Sequence, residues 1–88
     1  MRLDVLLNKL CITKTRSIAK NACDANAIKV NGKVAKASVE IKVNDVIESN
    51  FLGYQTILKV TKIPVGNVAK SDVLNFYEII SRVKVTLE

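Results

Sequence analysis

The sequence predicts an α+β fold in which two N-terminal helices pack on a small antiparallel sheet. Near the N-terminus, apolar residues recur at helical spacing. From residue 28 onward, they alternate in short runs that turn residues separate. Helices are therefore segregated from strands, which is the definition of this class. The length of 88 residues fits one domain.

The first helix is predicted from four leucines at i, i+3, i+4 and i+7, the spacing of one buried helix face: Leu3, Leu6, Leu7 and Leu10. Thr13 or Thr15 is positioned to cap a second helix. That helix must end near Asn26, because asparagine tolerates the left-handed conformation that terminates a helix.

The apolar side of the second helix is predicted to consist of small and branched residues: Ile18, Ala19, Ala22 and Ala25. Arg16 and Lys20 are four residues apart and stack on the opposite side. Replacing Ile18 with aspartate is therefore expected to unfold the domain, since it would bury an unpaired charge.

A short strand is predicted where Ile28 and Val30 alternate with Lys29. Asn31-Gly32 follows, and this dipeptide is a strong signal for a tight hairpin turn. The strand pattern continues at Val34, and residues 35–38 are interpreted as a loop.

The rest of the sheet is predicted from two further apolar patterns. The first pattern comprises Val43, Val46 and Ile47, with a turn predicted at Asn44-Asp45 just before Val46. A hairpin connection is predicted over 51–54. The second pattern, which ends at Pro64, comprises Ile57, Leu58, Val60 and Ile63. Ser71 or Asp72 is a candidate cap for a short helix. Residues 76–80 suit either a helix or a strand.

The positive charge is concentrated in one half of the chain. The net charge is +6, and residues 1–42 carry all of the excess, with nine basic and three acidic side chains. Residues 43–88 carry five of each. This asymmetry favours a polyanion-binding side. The candidate RNA-binding residues are Arg2, Lys9, Lys14, Arg16, Lys20, Lys33 and Lys36.

No catalytic, metal or cofactor site is predicted. The chain has no histidine, no paired carboxylates and no glycine-rich phosphate loop. Cys11 and Cys23 are too few for a disulfide framework or a zinc site, and we interpret both as buried or half-buried. Basic neighbours could lower the pKa of Cys23. The absence of a long apolar run and of a signal peptide predicts a cytoplasmic protein without a membrane partner.

The aromatic residues refine the expected partner. All four, namely Phe51, Tyr54, Phe76 and Tyr77, lie outside the basic half. Proteins that bind single strands usually interleave aromatic and basic residues, so that bases can stack. We therefore expect recognition of structured RNA through its backbone and shape.

Three segments in this order resemble the S-four RNA-binding domain, also called the alpha-L motif: Arg2-Leu3-Asp4, residues 15–20 and residues 28–32. The resemblance continues through 35–38 and 42–47 and covers roughly residues 2 to 60. It implies the alpha-L fold over residues 2–62 and a C-terminal extension over residues 63–88. The family usually has glycine at the positions of Asn26 and Asn44, and relatives are often basic at the position of Ala27.

Small free-standing members of the heat-shock-fifteen type and the ribosome-associated quality control protein P type are the most similar. The latter type binds large ribosomal subunits blocked by a peptidyl-tRNA and contacts ribosomal RNA and tRNA. The resemblance thus implies the large subunit and a quality-control elongation factor as partners, and a monomer off the ribosome. The resemblance implies that Arg2, Arg16, Lys20 and Lys36 occupy RNA-facing positions. It also implies that Asn31 and Gly32 form the turn that supports the RNA-binding loop.

Two other function classes remain open at this stage. The same domain occurs as an RNA-binding accessory of tRNA- or rRNA-modifying enzymes, and ribosome-assembly or heat-shock factors use it as well. Met1 directly before Arg2 and the absence of a catalytic set argue against the enzyme accessory. A membrane-surface or protein-only adaptor is disfavoured because the first helix is short and its polar edge is lightly charged.

Overall fold

Two short helices precede a five-stranded antiparallel sheet in the computed structural model, which describes residues 1–51, 54–66 and 68–84. The helices are α1 (Leu3–Lys9) and α2 (Arg16–Asp24). The strands are β1 (Ile28–Val30), β2 (Lys33–Val34), β3 (Val46–Phe51), β4 (Tyr54–Val60) and β5 (Tyr77–Lys84), in the spatial order β2-β1-β3-β4-β5. The predicted α+β class is confirmed.

The core lies between α1 and the sheet. The four leucines predicted to face inward, from Leu3 to Leu10, are fully buried. They belong to one cluster with the sheet residues Ile28, Ile47 and Leu58. Burying a leucine contributes about 1.5–3 kcal/mol, so this helix face is a main source of stability for so small a domain.

The buried face of α2 differs from the predicted one. Its N-terminus is as expected, because the Thr15 hydroxyl accepts a hydrogen bond from the Ile18 backbone N–H at 3.1 Å. Ala19 is buried and Ala22 packs partly against the core, as predicted, but Ile18 is 41% exposed, Ala25 is exposed, and Cys23 is buried instead. Small side chains at i and i+4 form the contact surface of the helix. The prediction that Ile18 lies on the buried face is therefore wrong, which removes the reason to expect that aspartate at position 18 unfolds the domain.

Asparagine replaces glycine at the sharp turns of the chain. Asn26 has φ 61° where α2 ends, and Asn44 has φ 77° before β3. Asn31 and Gly32 have φ 52° and 86°, and positive values at both central residues define the type I′ hairpin turn that joins β1 to β2. Cys11 also has a positive φ of 58°, which the sequence pattern did not indicate.

The C-terminal segment adds a 3-10 helix (Lys70–Asn75) and β5 to the same sheet. The ambiguity over residues 76–80 is thus resolved as mainly strand, since β5 begins at Tyr77 and pairs along β4. The short helix has no side-chain cap, so the expectation of a cap at Ser71 or Asp72 is wrong.

The other strand ends also depart from the sequence pattern. Ile63 lies beyond β4, and Val43 is exposed before β3. Phe51 pairs with Tyr54, as a hairpin connection requires, and residues 52–53 lie outside the described part of the chain. Among the described residues, no helix is both long and apolar enough to cross a bilayer.

Candidate nucleic-acid interface

The N-terminal segment brings a distant loop to the start of α1. The backbone N–H groups of Leu3 and Asp4 donate to the carbonyls of Val39 and Ala37 at 2.8 and 3.1 Å. These bonds satisfy donors that the first turn of a helix leaves without intrahelical partners, and Arg2 has no side-chain cap bond. As a consequence, the loop that carries Lys36 lies beside Arg2.

A buried carboxylate organises two arginines. Asp4 is 2% exposed, and its Oδ1 and Oδ2 accept hydrogen bonds from Arg2 Nε at 3.2 Å and Arg16 Nε at 3.1 Å, respectively. The Val5 backbone N–H also donates to Oδ1 at 2.9 Å. The arginine side chains stay 48% and 57% exposed. Asp4 therefore fixes both guanidinium groups and leaves much of their surface to an incoming anion.

The local charges keep Asp4 ionised. Burial raises the pKa of this carboxyl, but the hydrogen bond from Arg16, the Val5 N–H and the charges of Arg16 and Arg2 lower it more. The pKa therefore falls below the ordinary value of 3.8. At neutral pH, the cluster holds two positive charges against one negative charge, and it keeps an excess that favours phosphate.

Two adjoining concavities display the basic residues. Arg2, Lys20 and Lys36 line the first, together with the carboxylate of Asp24 and with Asn26 and Ser38. The second shares Arg2 and Lys20 with it and adds Arg16 and Ser17. The structure therefore brings four of the seven predicted cations together on one surface, which we call the basic surface: Arg2, Arg16, Lys20 and Lys36.

The other three predicted residues lie at its margin or away from it. Lys9 Nζ donates to the carbonyl of Gly66 at 2.8 Å. It lines a further concavity with Arg16. Lys14 is exposed between the helices, and Lys33 is exposed on β2. Neither of these two side chains lines the basic surface.

The predicted turn at Asn31-Gly32 is held in place by hydrogen bonds to the start of β3. The Asn31 side-chain Oδ1 accepts from the Val46 N–H at 2.9 Å, and its Nδ2 donates to Asp45 at 3.1 Å. The Asn31-Gly32 turn is thereby fixed to the start of β3. From β2, the chain enters the Lys36 loop directly, and Ala35 N–H donates to the Ile28 carbonyl at 3.1 Å.

The sequence pattern gave Asp4 no role in the RNA-binding site, although this residue is the centre of the cluster. The spacing of Arg2 and Asp4, two residues apart, was a signal in the sequence, but the Arg16 contact depends on how α1 packs on α2.

The two cysteines differ from the sequence predictions. The pKa of the Cys23 thiol is raised rather than lowered, because burial, with smaller effects of Asp4 and Asp24, disfavours the thiolate. Cys11 is exposed rather than buried. No group of three metal-binding side chains occurs in the part of the chain that the structure describes.

Comparison with known proteins places this geometry in context. Residues 1–47 match the S4 domain family. The chain is 41% identical over 85 residues to the RQC P-site tRNA stabilizing factor of Streptococcus pneumoniae, covering 97% of this chain and 96% of that protein. It is 31% identical to the Bacillus subtilis protein of that name, covering 96% of each. The trimeric structure of Vibrio cholerae Heat Shock Protein 15 superposes with a TM-score of 0.85 at 23% identity, covering 92% of this chain and 82% of that one, which shows the shared fold.

Proposed function

The chain belongs to the S4 domain family and, within it, to the RQC P-site tRNA stabilizing factors, and from that premise we propose that it binds tRNA and large-subunit ribosomal RNA. Its site of action is the obstructed large ribosomal subunit that carries a peptidyl-tRNA, in the cytoplasm. There it supports elongation of the nascent chain together with a quality-control elongation factor. It acts by binding rather than by catalysis and is a monomer off the ribosome.

The observation that carries the proposal is the Asp4 cluster within the basic surface. A phosphate needs convergent, oriented donors, and Arg2 and Arg16 are held by the same carboxylate. Lys20 and Lys36 line the same concavity as Arg2 and extend the positive surface. Lys9, Lys14 and Lys33 add longer-range attraction from the periphery. Each phosphate contact releases counterions, so the affinity falls steeply with salt.

The division of the chain follows from this assignment. Residues 2–62 are the RNA-binding unit, because they supply every residue of the basic surface. Residues 63–88 are an extension, although β5 completes the sheet. Among the described residues, no aromatic side chain lines the two concavities of the basic surface. Recognition there depends on the phosphate backbone and the shape of folded RNA.

The test is co-sedimentation of the tagged protein with ribosomal fractions at low and high salt. We expect enrichment on large subunits over small subunits and intact ribosomes, with loss of binding at high salt. Arg16→Ala should abolish most of the enrichment. Lys59→Ala removes the same charge from β4, away from the basic surface, and should bind like the parent. The proposal fails if neither parent nor variant associates with large subunits, or if both variants bind equally well.

A further inference from the structure

A second concave site lies at the far end of α1. It is a groove of about 200 Å³ between the residues that follow this helix and the outer strands of the sheet. Its lining includes Cys11, Ile12 and Thr56, two tyrosines that can stack on a base, Tyr54 and Tyr77, and Arg82, which can pair with an anion. Tyr54 is 41% exposed, so its surface is accessible.

The sheet register segregates the charges around this groove. Thr56 pairs with Arg82, and Tyr54 pairs with Lys84, which places both cations on the helix-facing side of the sheet. The Arg82 guanidinium carbon lies 4.9 Å from the centre of the Tyr54 ring.

The acidic residues of the described strands are on the other side. Glu48 pairs in register with Ile57, and Glu78 pairs with Lys59. Both positions alternate with those that face the helices. Glu48 also accepts a hydrogen bond from Gln55 at 3.0 Å and lies 3.8 Å from Lys29 Nζ. The groove therefore has one cation, Arg82, and two tyrosines in its walls, and no carboxylate among the lining residues that the structure describes.

A series of concavities connects the groove to the basic surface. Arg16 belongs both to the basic surface and to the concavity that contains Lys9 and Lys70. Cys11 belongs to that concavity and also to the groove. Because α1 has only seven residues, the path along it is on the order of 10 Å. Lys9 and Lys70 line the concavity between the basic surface and the groove.

We propose that this groove binds an unpaired nucleotide of the RNA that the basic surface holds. The base stacks on the exposed tyrosine surface, and the adjacent phosphate pairs with Arg82 and Lys84, since aromatic rings combined with cations are how proteins bind single-stranded RNA. A polypeptide segment would also fill a groove, but the absence of carboxylates in the lining favours a polyanion. The assignment rests on the proposed RNA-binding function and extends it to a second site.

The experiment compares two RNAs on the full chain: a blunt hairpin, and the same hairpin with a short single-stranded extension that carries a fluorescent adenine analogue. The parent should bind the extended RNA about fivefold or more tightly than the blunt one and quench the analogue by stacking. Tyr54→Ala and Arg82→Ala should remove this advantage and leave the affinity for the blunt hairpin unchanged. Tyr54→Phe should retain it, and Lys59→Ala is the charge-matched control on the opposite face.

The outcomes separate the two proposals. Arg16→Ala should weaken binding of both RNAs; an unchanged affinity for both would refute the proposed function. The groove assignment is overturned if the parent shows no preference for the extension, or if Tyr54→Ala and Arg82→Ala retain the preference and the quenching. It is also overturned if these variants bind both RNAs normally but lose association with large subunits, since the groove would then bind protein. Thermal unfolding of each variant verifies that it is folded.

Discussion

Replacing Asp4 with asparagine tests whether the orientation of the arginines or the total positive charge sets RNA affinity. The substitution keeps the shape of the side chain and an oxygen that can accept from the Val5 N–H. It removes the negative charge of the carboxylate, whose oxygens accept hydrogen bonds from Arg2 Nε and Arg16 Nε at 3.2 and 3.1 Å. It also raises the net charge of the chain by one unit from +6.

The expected magnitudes follow from the exposure of the partners. Breaking a fully buried ion pair costs roughly 3–5 kcal/mol, but the two arginines are 48% and 57% exposed and regain water when released. We therefore expect the free energy of unfolding to fall by only about 1–2 kcal/mol. RNA binding should weaken about threefold to tenfold, because the mobile arginines must be ordered at the cost of affinity.

Urea unfolding measures the stability, and fluorescence anisotropy with labelled tRNA measures the affinity. Asp24→Asn is the matched control: it makes the same charge change on an exposed residue that lines the concavity of Arg2, Lys20 and Lys36. That variant should bind tRNA as tightly as the parent or more tightly. If Asp4→Asn binds as tightly as Asp24→Asn, total charge governs affinity and the orienting role of Asp4 is refuted.

The same residue predicts an acid-dependent stability. Because the folded state lowers the pKa of Asp4, its contribution is fully present above the unfolded value near 3.8. It is lost as the pH falls through the lower folded pKa. Asp4→Asn should therefore lose less stability than the parent between neutral pH and this acidic range, measured by urea unfolding at each pH.

Three further predictions concern packing, the turn and the thiols. Ile18→Asp should remain folded, because residue 18 is 41% exposed, whereas Ala19→Asp should abolish cooperative thermal unfolding by burying a carboxylate. Asn31→Gly should lower the free energy of urea unfolding by about 1 kcal/mol, because it removes two side-chain hydrogen bonds; an unchanged midpoint would contradict their importance. A maleimide should modify exposed Cys11 much faster than buried Cys23, which mass mapping can check; equal rates would contradict the burial.

Features controlled by local rules could be predicted from the sequence. The leucine spacing identified the buried face of α1, and the positive φ at Asn26, Asn31 and Asn44 follows from the conformational tolerance of asparagine. The cations of the basic surface were identified by the family resemblance, because the order of the matching segments along the chain is distinctive.

Features that depend on pairing between distant segments could not be predicted. In α2, hydrophobicity favoured Ile18, but packing against the core buries Cys23 beside the predicted Ala19 and leaves Ile18 exposed. The strand character of residues from Tyr77 onward arises from pairing with β4. The cation–aromatic pair in the groove joins Tyr54 to Arg82, and no local pattern indicates that these residues meet.

The two concave regions share one core but take their side chains from different parts of the chain. The S4 match ends at residue 47, and the basic surface lies entirely within it, whereas most of the groove is built by β4 and β5. Under the two proposals, exchanging Tyr54, Tyr77 and Arg82 between homologues, with the core residues Leu58 and Val60 kept, should change which single-stranded nucleotides are preferred and leave the affinity for folded RNA unchanged. Affinity and selectivity would then be set by different side chains on one scaffold, and each would evolve without the other.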